Sequence, residues 1–181
     1  MRSSAPQSIG FGDANAQFNV YIANTPPMAE YADLHQVQPL QGGEIELINR
    51  ACGNGWRKVF NVYAKLLFAL DSHQFTFTAL APDWQQFRDR YLLQYSSNTA
   101  LHFSPPKLVT GSNDVHIIAG RTYAKALLDA GMQAQLHWLN NEFAVDRHLR
   151  VLVCPYFDYL QLNNEKLHFL AQLIKELDET P

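Results

Sequence analysis

Apolar and polar positions follow two rhythms along this chain. Phe18-Asn19-Val20-Tyr21-Ile22-Ala23 is a compact apolar run, broken at Asn24-Thr25-Pro26-Pro27-Met28 because neither proline can donate to a ladder. Gln74-Phe75-Thr76-Phe77-Thr78-Ala79-Leu80 alternates and predicts a strand with one wetter face. Val115-His116-Ile117-Ile118-Ala119 stops at Gly120, and Leu149-Arg150-Val151-Leu152-Val153 runs into Cys154-Pro155-Tyr156-Phe157-Asp158-Tyr159. Between these runs the spacing lengthens to three and four. Trp56, Val59, Phe60, Tyr63, Leu66, Leu67 and Leu70 mark a core helix. A shorter helix over 44–52 would turn Ile45, Leu47 and Ile48 inward, and Gly53-Asn54-Gly55 reads as the turn between the two. Asp83 with Gln86 resembles a capping box opening a helix of about three turns through Trp84, Phe87, Tyr91 and Tyr95. Residues 121–128 form a further helix closed by Gly131, and Asn163 or Asn164 caps a last one bearing Leu167, Leu170, Leu173, Ile174 and Leu177. Residues 29–43 read as a loop with at most one helical turn, and 96–114 as connection with room for a short strand at 100–103. Residues 133–139 offer an additional strand before a turn at Asn140-Asn141.

Strands alternating with helices predict an α/β fold, a three-layer sandwich around a central, mostly parallel four-stranded sheet. Its strands are placed near 18–23, 75–80, 115–119 and 149–154, in one domain over 18–181 behind a polar leader, 1–17. Right-handed crossovers set all carboxyl ends on one rim, where open α/β sheets bind ligands. That rim gathers residues 24–28, Ala81-Pro82, Gly120-Arg121 and 154–159.

Composition narrows the function. With 181 residues, 47% hydrophobic and 17% charged, the chain can bury a core as one domain. No apolar run reaches the roughly 20 residues that span a bilayer, and the leader lacks the apolar centre of a signal peptide, so cytoplasm and no membrane partner are expected. The net charge of −3 counts against a dedicated DNA binder, since phosphate neutralisation supplies most of such affinity. Cys52 and Cys154 are too few for a four-cysteine metal or cluster site, and the seven histidines show no HxH, HxxxH or HExxH spacing, so no metal and no cofactor are expected.

Ile117-Ile118-Ala119-Gly120-Arg121-Thr122-Tyr123-Ala124-Lys125-Ala126-Leu127-Leu128, a strand with a small end followed by A-x-x-L-L, resembles an element of the uracil-DNA glycosylase superfamily. Val151-Leu152-Val153-Cys154-Pro155-Tyr156 is similar to that family's later strand and His-Pro-Ser-type loop, and Asn163-Asn164-Glu165-Lys166 to the polar segment that follows. The resemblance covers about a third of the chain. Ala23-Asn24-Thr25-Pro26 has the shape of the family's water-activating motif. Asn24 stands where one branch has glutamate, Thr25 where others have aspartate or asparagine, Cys154 where the family has its histidine donor, and Tyr156 where it has a small residue. The four iron–sulfur cysteines of one branch are absent. Glycosidic cleavage needs a charge near the sugar and a donor on the departing base, and losing one such donor costs on the order of 10²–10³ in rate.

The resemblance therefore implies the fold and a nucleobase or nucleotide pocket whose glycosidase chemistry is degenerate or altered. Its ligand-binding residues would be Thr25, Gly120, Arg121, Cys154, Tyr156 and Phe157, with Asn24 or Asp158 orienting water if hydrolysis survives. Two other readings stand beside it. One is a non-catalytic protein–protein interaction domain on the same scaffold, which calls for a contiguous exposed apolar patch. The other is a cysteine-dependent hydrolase, with Cys154 activated by His102 or His116.

Overall fold

The computed structural model describes residues 7–179. Its strands, in chain order, are β1 (Gly10–Gly12), β2 (Phe18–Tyr21), β3 (Val37–Gln38), β4 (Thr99–His102), β5 (Val115–Ala119), β6 (His137–Trp138), β7 (Ala144–Asp146) and β8 (Val151–Cys154). The helices are α1 (Glu44–Cys52), α2 (Asn54–Ala69), α3 (Trp84–Arg90), α4 (Arg121–Asp129) and α5 (Asn164–Glu176). All eight strands join one mixed sheet in the order β3-β1-β4-β2-β5-β8-β7-β6. The four central strands, β4-β2-β5-β8, run parallel to one another. β1 pairs antiparallel with β4, and β7 with β8, so the flanks reverse direction.

Every residue of the central strands is buried, as expected of parallel strands covered on both faces. Alternation sorts their side chains. Phe18, Val20, Leu101, Ile117 and Leu152 join one core with α1, α2, α3 and α5. Tyr21, Ile118, Val151 and Val153 form a second, smaller core with Ala124 and Leu127 of α4. Helices thus stand on both faces, unevenly.

Three expectations are corrected. The sheet has eight strands, and residues 75–80 supply none of them. Phe75 and Phe77 alternate because they stack on each other, centroids 5.8 Å apart, and both present their faces or edges to Phe18. The segment is a loop with one 3₁₀ turn, Phe77–Ala79, and the fourth parallel strand is Thr99–His102, so Ala81-Pro82 is not at a strand end. The leader is not detached either, although residues 1–6 lie outside the described part. Its Gly10–Gly12 is a strand, and Phe11 is 0% exposed. Finally, Leu47 is 59% and Tyr95 85% exposed. α1 buries Ile45, Ile48 and Asn49 instead, and α3 stops at Arg90 after two turns. The caps at Asp83 and Asn163 are as expected, accepting from the amides of Gln86 and Lys166.

β1 is built of glycine for a steric reason. A Cβ at Gly10 would collide with the Leu101 carbonyl, and one at Gly12 with the Thr99 carbonyl, while Gly12 also holds φ +115°. Gly12→Ala is expected to cost about 2 kcal/mol or more in urea denaturation, because both clash and strain apply. Gly42→Ala, with open space around its Cβ, should change stability by less than about 1 kcal/mol.

Candidate functional site

The strand ends converge. A cleft of about 440 Å³ is lined by Ala23 and Asn24 after β2, Ala119 at the end of β5 with Gly120 after it, and Pro155 and Tyr156 after β8. β2 lies between β4 and β5. The chain therefore leaves β2 toward one side and returns on the other, and the cleft opens where that reversal occurs, the position at which open α/β sheets take ligands.

Gly120 makes the corner. Its φ of +106° is one that glycine adopts without Cβ strain, and its N–H donates to the Cys154 carbonyl over 2.8 Å, tying the ends of β5 and β8 together. It supplies no side-chain cap to α4. The first-turn N–H groups of Arg121, Thr122 and Tyr123 have no intrahelical acceptor, and these three residues line the cleft. The remaining wall is the turn of the β6–β7 hairpin, with Asn141 and Glu142, together with Gln161 from the loop before α5.

That hairpin is clamped from two sides. Arg121 Nη1 donates to the Asn141 carbonyl over 3.2 Å, and the same guanidinium lies 5.5 Å from the centre of the Trp138 ring. Lys166 of α5 pairs with Glu142 at 2.8 Å. Within the turn, Asn140 Oδ1 accepts the amides of Glu142 and Phe143.

Of the residues expected at the site, Asn24, Gly120, Arg121 and Tyr156 line the cleft. The others do not, each for its own reason. Thr25 lines a neighbouring apolar hollow with Pro26, Pro27 and Met28. Phe157 is fully buried, edge-on to Tyr63 at 5.9 Å. Asp158 turns toward α2, where Lys58 lies 3.4 Å from Oδ2, and its Oδ1 caps the Leu160 amide. Cys154 is fully buried, burial pushes its thiol pKa upward, and its S–H points at the Pro155 carbonyl.

The same alternation separates that thiol from any base. Cys154 belongs to the core beneath α2 and α5, whereas His102 and His116 project from the opposite face of the sheet beside Tyr21. There Tyr21 Oη lies 2.7 Å from His116 Nδ1, the Tyr21 ring stacks on His102 at 4.6 Å, and His102 Nε2 lies 2.7 Å from Asn19 Oδ1. A cysteine–histidine hydrolase is ruled out by this geometry. The histidines are structural.

Asn141, Glu142 and Gln161 were missed because β7 was not read and the 139–143 turn had nothing to place it beside Gly120. Thr122 and Tyr123 could have been found, since they form the turn that Gly120 opens. Among the described residues, no group of three or more His, Cys, Asp or Glu side chains is arranged to hold a metal ion, and no helix is long and apolar enough to cross a membrane. Both cysteines are free thiols.

Fold and cleft together define an α/β protein with one mixed sheet and a hollow of mixed polar and apolar lining at its point of strand-order reversal. The chain belongs to a family of unknown function (DUF6942), whose model matches residues 9–175 and so takes in all eight strands. No curated protein and no solved structure matches the chain.

Two measurements follow from this geometry. Lys166→Met combined with Arg121→Ala should raise amide hydrogen exchange in residues 139–143 by about tenfold, the effect of roughly 1.4 kcal/mol of lost local stability, with β5 and β8 unchanged. Burial pushes the pKa of both His102 and His116 down from 6.5 to about 4, with the mutual charge of His116 adding to the shift at His102. Between those values the unfolded chain holds more protons, so stability falls as pH falls from 6.5 to about 4, by on the order of 3 kcal/mol for each histidine. A His102→Gln, His116→Gln variant should show a flatter dependence in denaturant titrations across that window.

Proposed function

We propose that this protein is a uracil-DNA glycosylase-like member of the α/β class that binds a nucleobase or nucleotide in the cleft, with degenerate or altered glycosidase chemistry. The observation that carries the reading is the meeting of the 23–24, 119–123 and 155–156 segments around one hollow, the segments on which the resemblance rests. The parallel run β4-β2-β5-β8 at the sheet centre suits the same reading. Half-buried Tyr156 offers a ring for stacking. Asn24, exposed at the rim, offers a neutral amide for a base edge or a water, and α4 offers backbone N–H donors suited to a carbonyl or phosphate oxygen.

Turnover is disfavoured by the same inventory. Asp158 faces α2, Thr25 faces another hollow, and Cys154 is sealed in the core. The charge that would support a sugar cation is therefore not supplied by the residues the family motif points to. A protein-docking role stands second. The exposed large apolar side chains, Leu47, Val109, Leu139, Leu160 and Phe169 among them, are spread over α1, three connecting segments and α5, whereas the cleft is concave and carries Asn24, Asn141, Glu142 and Gln161 in its lining. A cytoplasmic location belongs to the same proposal, with the two free thiols in its favour.

Nucleosides and short single-stranded oligonucleotides titrated at low salt should shift NMR signals of Asn24, Gly120 and Tyr156. Tyr156→Ala should weaken that binding by about 1–3 kcal/mol, the usual contribution of one base on an aromatic ring. Uracil- and hypoxanthine-containing oligonucleotides are expected to be bound with little or no base release. Failure of every one of these ligands to bind at low salt, where electrostatic attraction is greatest, sinks the reading.

A further inference from the structure

The hairpin turn brings the cleft its one carboxylate among the described lining residues. Glu142 Oε1 and Oε2 lie 2.8 and 2.9 Å from Lys166 Nζ. Lys166 sits in the first turn of α5, whose start is fixed by the Asn163 cap. The Glu142 side chain is still 43% exposed, so the group is anchored and accessible at once. An ionised carboxylate has about four lone-pair sites, and one ammonium leaves acceptor capacity on both oxygens.

The other polar groups of the cleft are donors or amides that can serve either way. The guanidinium of Arg121 is already engaged by the hairpin. Glu142 alone can only accept. A ligand seated against it must present N–H or O–H donors, and an acceptor in that place would face the lone pairs that Lys166 leaves open.

We infer that Glu142 is the specificity-determining residue of the cleft and that it selects a heterocycle with two adjacent N–H donors, the pattern guanine carries at N1 and N2. The inference rests on the base-binding reading above. Guanine places its O6 acceptor beside that donor pair, and the first turn of α4 supplies free N–H groups in the same cleft. Hypoxanthine lacks the exocyclic amine, adenine lacks the N1 proton, and uracil has a single ring N–H beside its carbonyls. An analogue that lacks one of the two donors forgoes one charge-assisted hydrogen bond to Glu142 and binds more weakly by that amount.

The test is calorimetric titration of the full chain with guanosine, inosine, adenosine and uridine at low salt. Guanosine is expected to bind at least about tenfold more tightly than inosine, the contribution of one charge-assisted hydrogen bond. Glu142→Gln should bring guanosine down to the affinity of inosine. Glu142→Asp, which keeps the charge but withdraws it by one methylene, should fall between, and it gives a second reading if the amide destabilises the hairpin. Equal binding of guanosine and inosine, or a guanosine preference unchanged in both variants, overturns this inference and leaves base binding standing. Binding of none of the four nucleosides overturns base binding and this inference together.

Discussion

The pairing of β2 with β5 sets everything else at the site. Phe18 stands opposite Val115 and Tyr21 opposite Ile118, while β5 in turn sets Ala119 opposite Cys154. Those registers bring three strand ends to one level, and only then do Asn24, Gly120 and Tyr156 meet. A slip of one residue would exchange the faces of every side chain on the slipped strand. Phe18 and Val20 would leave the larger core, and Asn19 would enter it. The alternation of apolar and polar residues on β2 thus fixes the register, and the register makes the cleft.

The smaller core shows how the fold accommodates a polar patch inside a sheet. Asn19, Tyr21, His102 and His116 come from β2, β4 and β5 and satisfy one another across the strands. Asn19 also donates to the Ala16 carbonyl, joining the segment before β2 to the patch. Keeping two imidazoles buried and neutral is favourable near pH 7 and becomes costly in acid. One nitrogen, His102 Nδ1, is buried without a partner among the described residues, which is a desolvation cost carried at neutral pH. Placing this cluster under α4 leaves the larger core dry, where Phe18, Phe60, Tyr63 and Phe157 pack.

Legibility in the sequence followed the range of the determining contacts. α2, α4 and α5 were readable because their apolar spacing, caps and closing glycines are local, and β2, β5 and β8 because each is a short run in which apolar residues dominate. β1 was hidden, since Gly10 and Gly12 carry no hydrophobic signal and are required by contact with β4, some ninety residues away. Residues 75–80 misled for the converse reason. Their alternation is that of a strand, but it serves aromatic stacking against Phe18. At the site, Gly120 and Tyr156 stood out as strand-to-helix turns. Glu142 did not, because its place depends on β7 pairing with β8 and on Lys166 reaching across from α5. Phe157 and Asp158 were one and two residues beyond the right position: alternation after β8 sends Phe157 into the core, and the turn carries Asp158 toward Lys58.

A cleft that binds and a cleft that cleaves differ in where their charges stand. Cleavage of a glycosidic bond needs a negative group near the sugar and a donor aimed at the departing base, both held in place before the reaction begins. Here the charged groups around the hollow are committed to architecture. Arg121 holds Asn141 and Trp138, Lys166 holds Glu142, and Lys58 holds Asp158. These contacts tie the hairpin turn to α4 and α5, and the loop before α5 to α2. The result is a lining of amides, two tyrosine rings, backbone N–H groups and a carboxylate paired with Lys166. On the proposed reading such a lining would discriminate among neutral planar ligands, because the charged groups that hydrolysis would call on are engaged in holding the rim together.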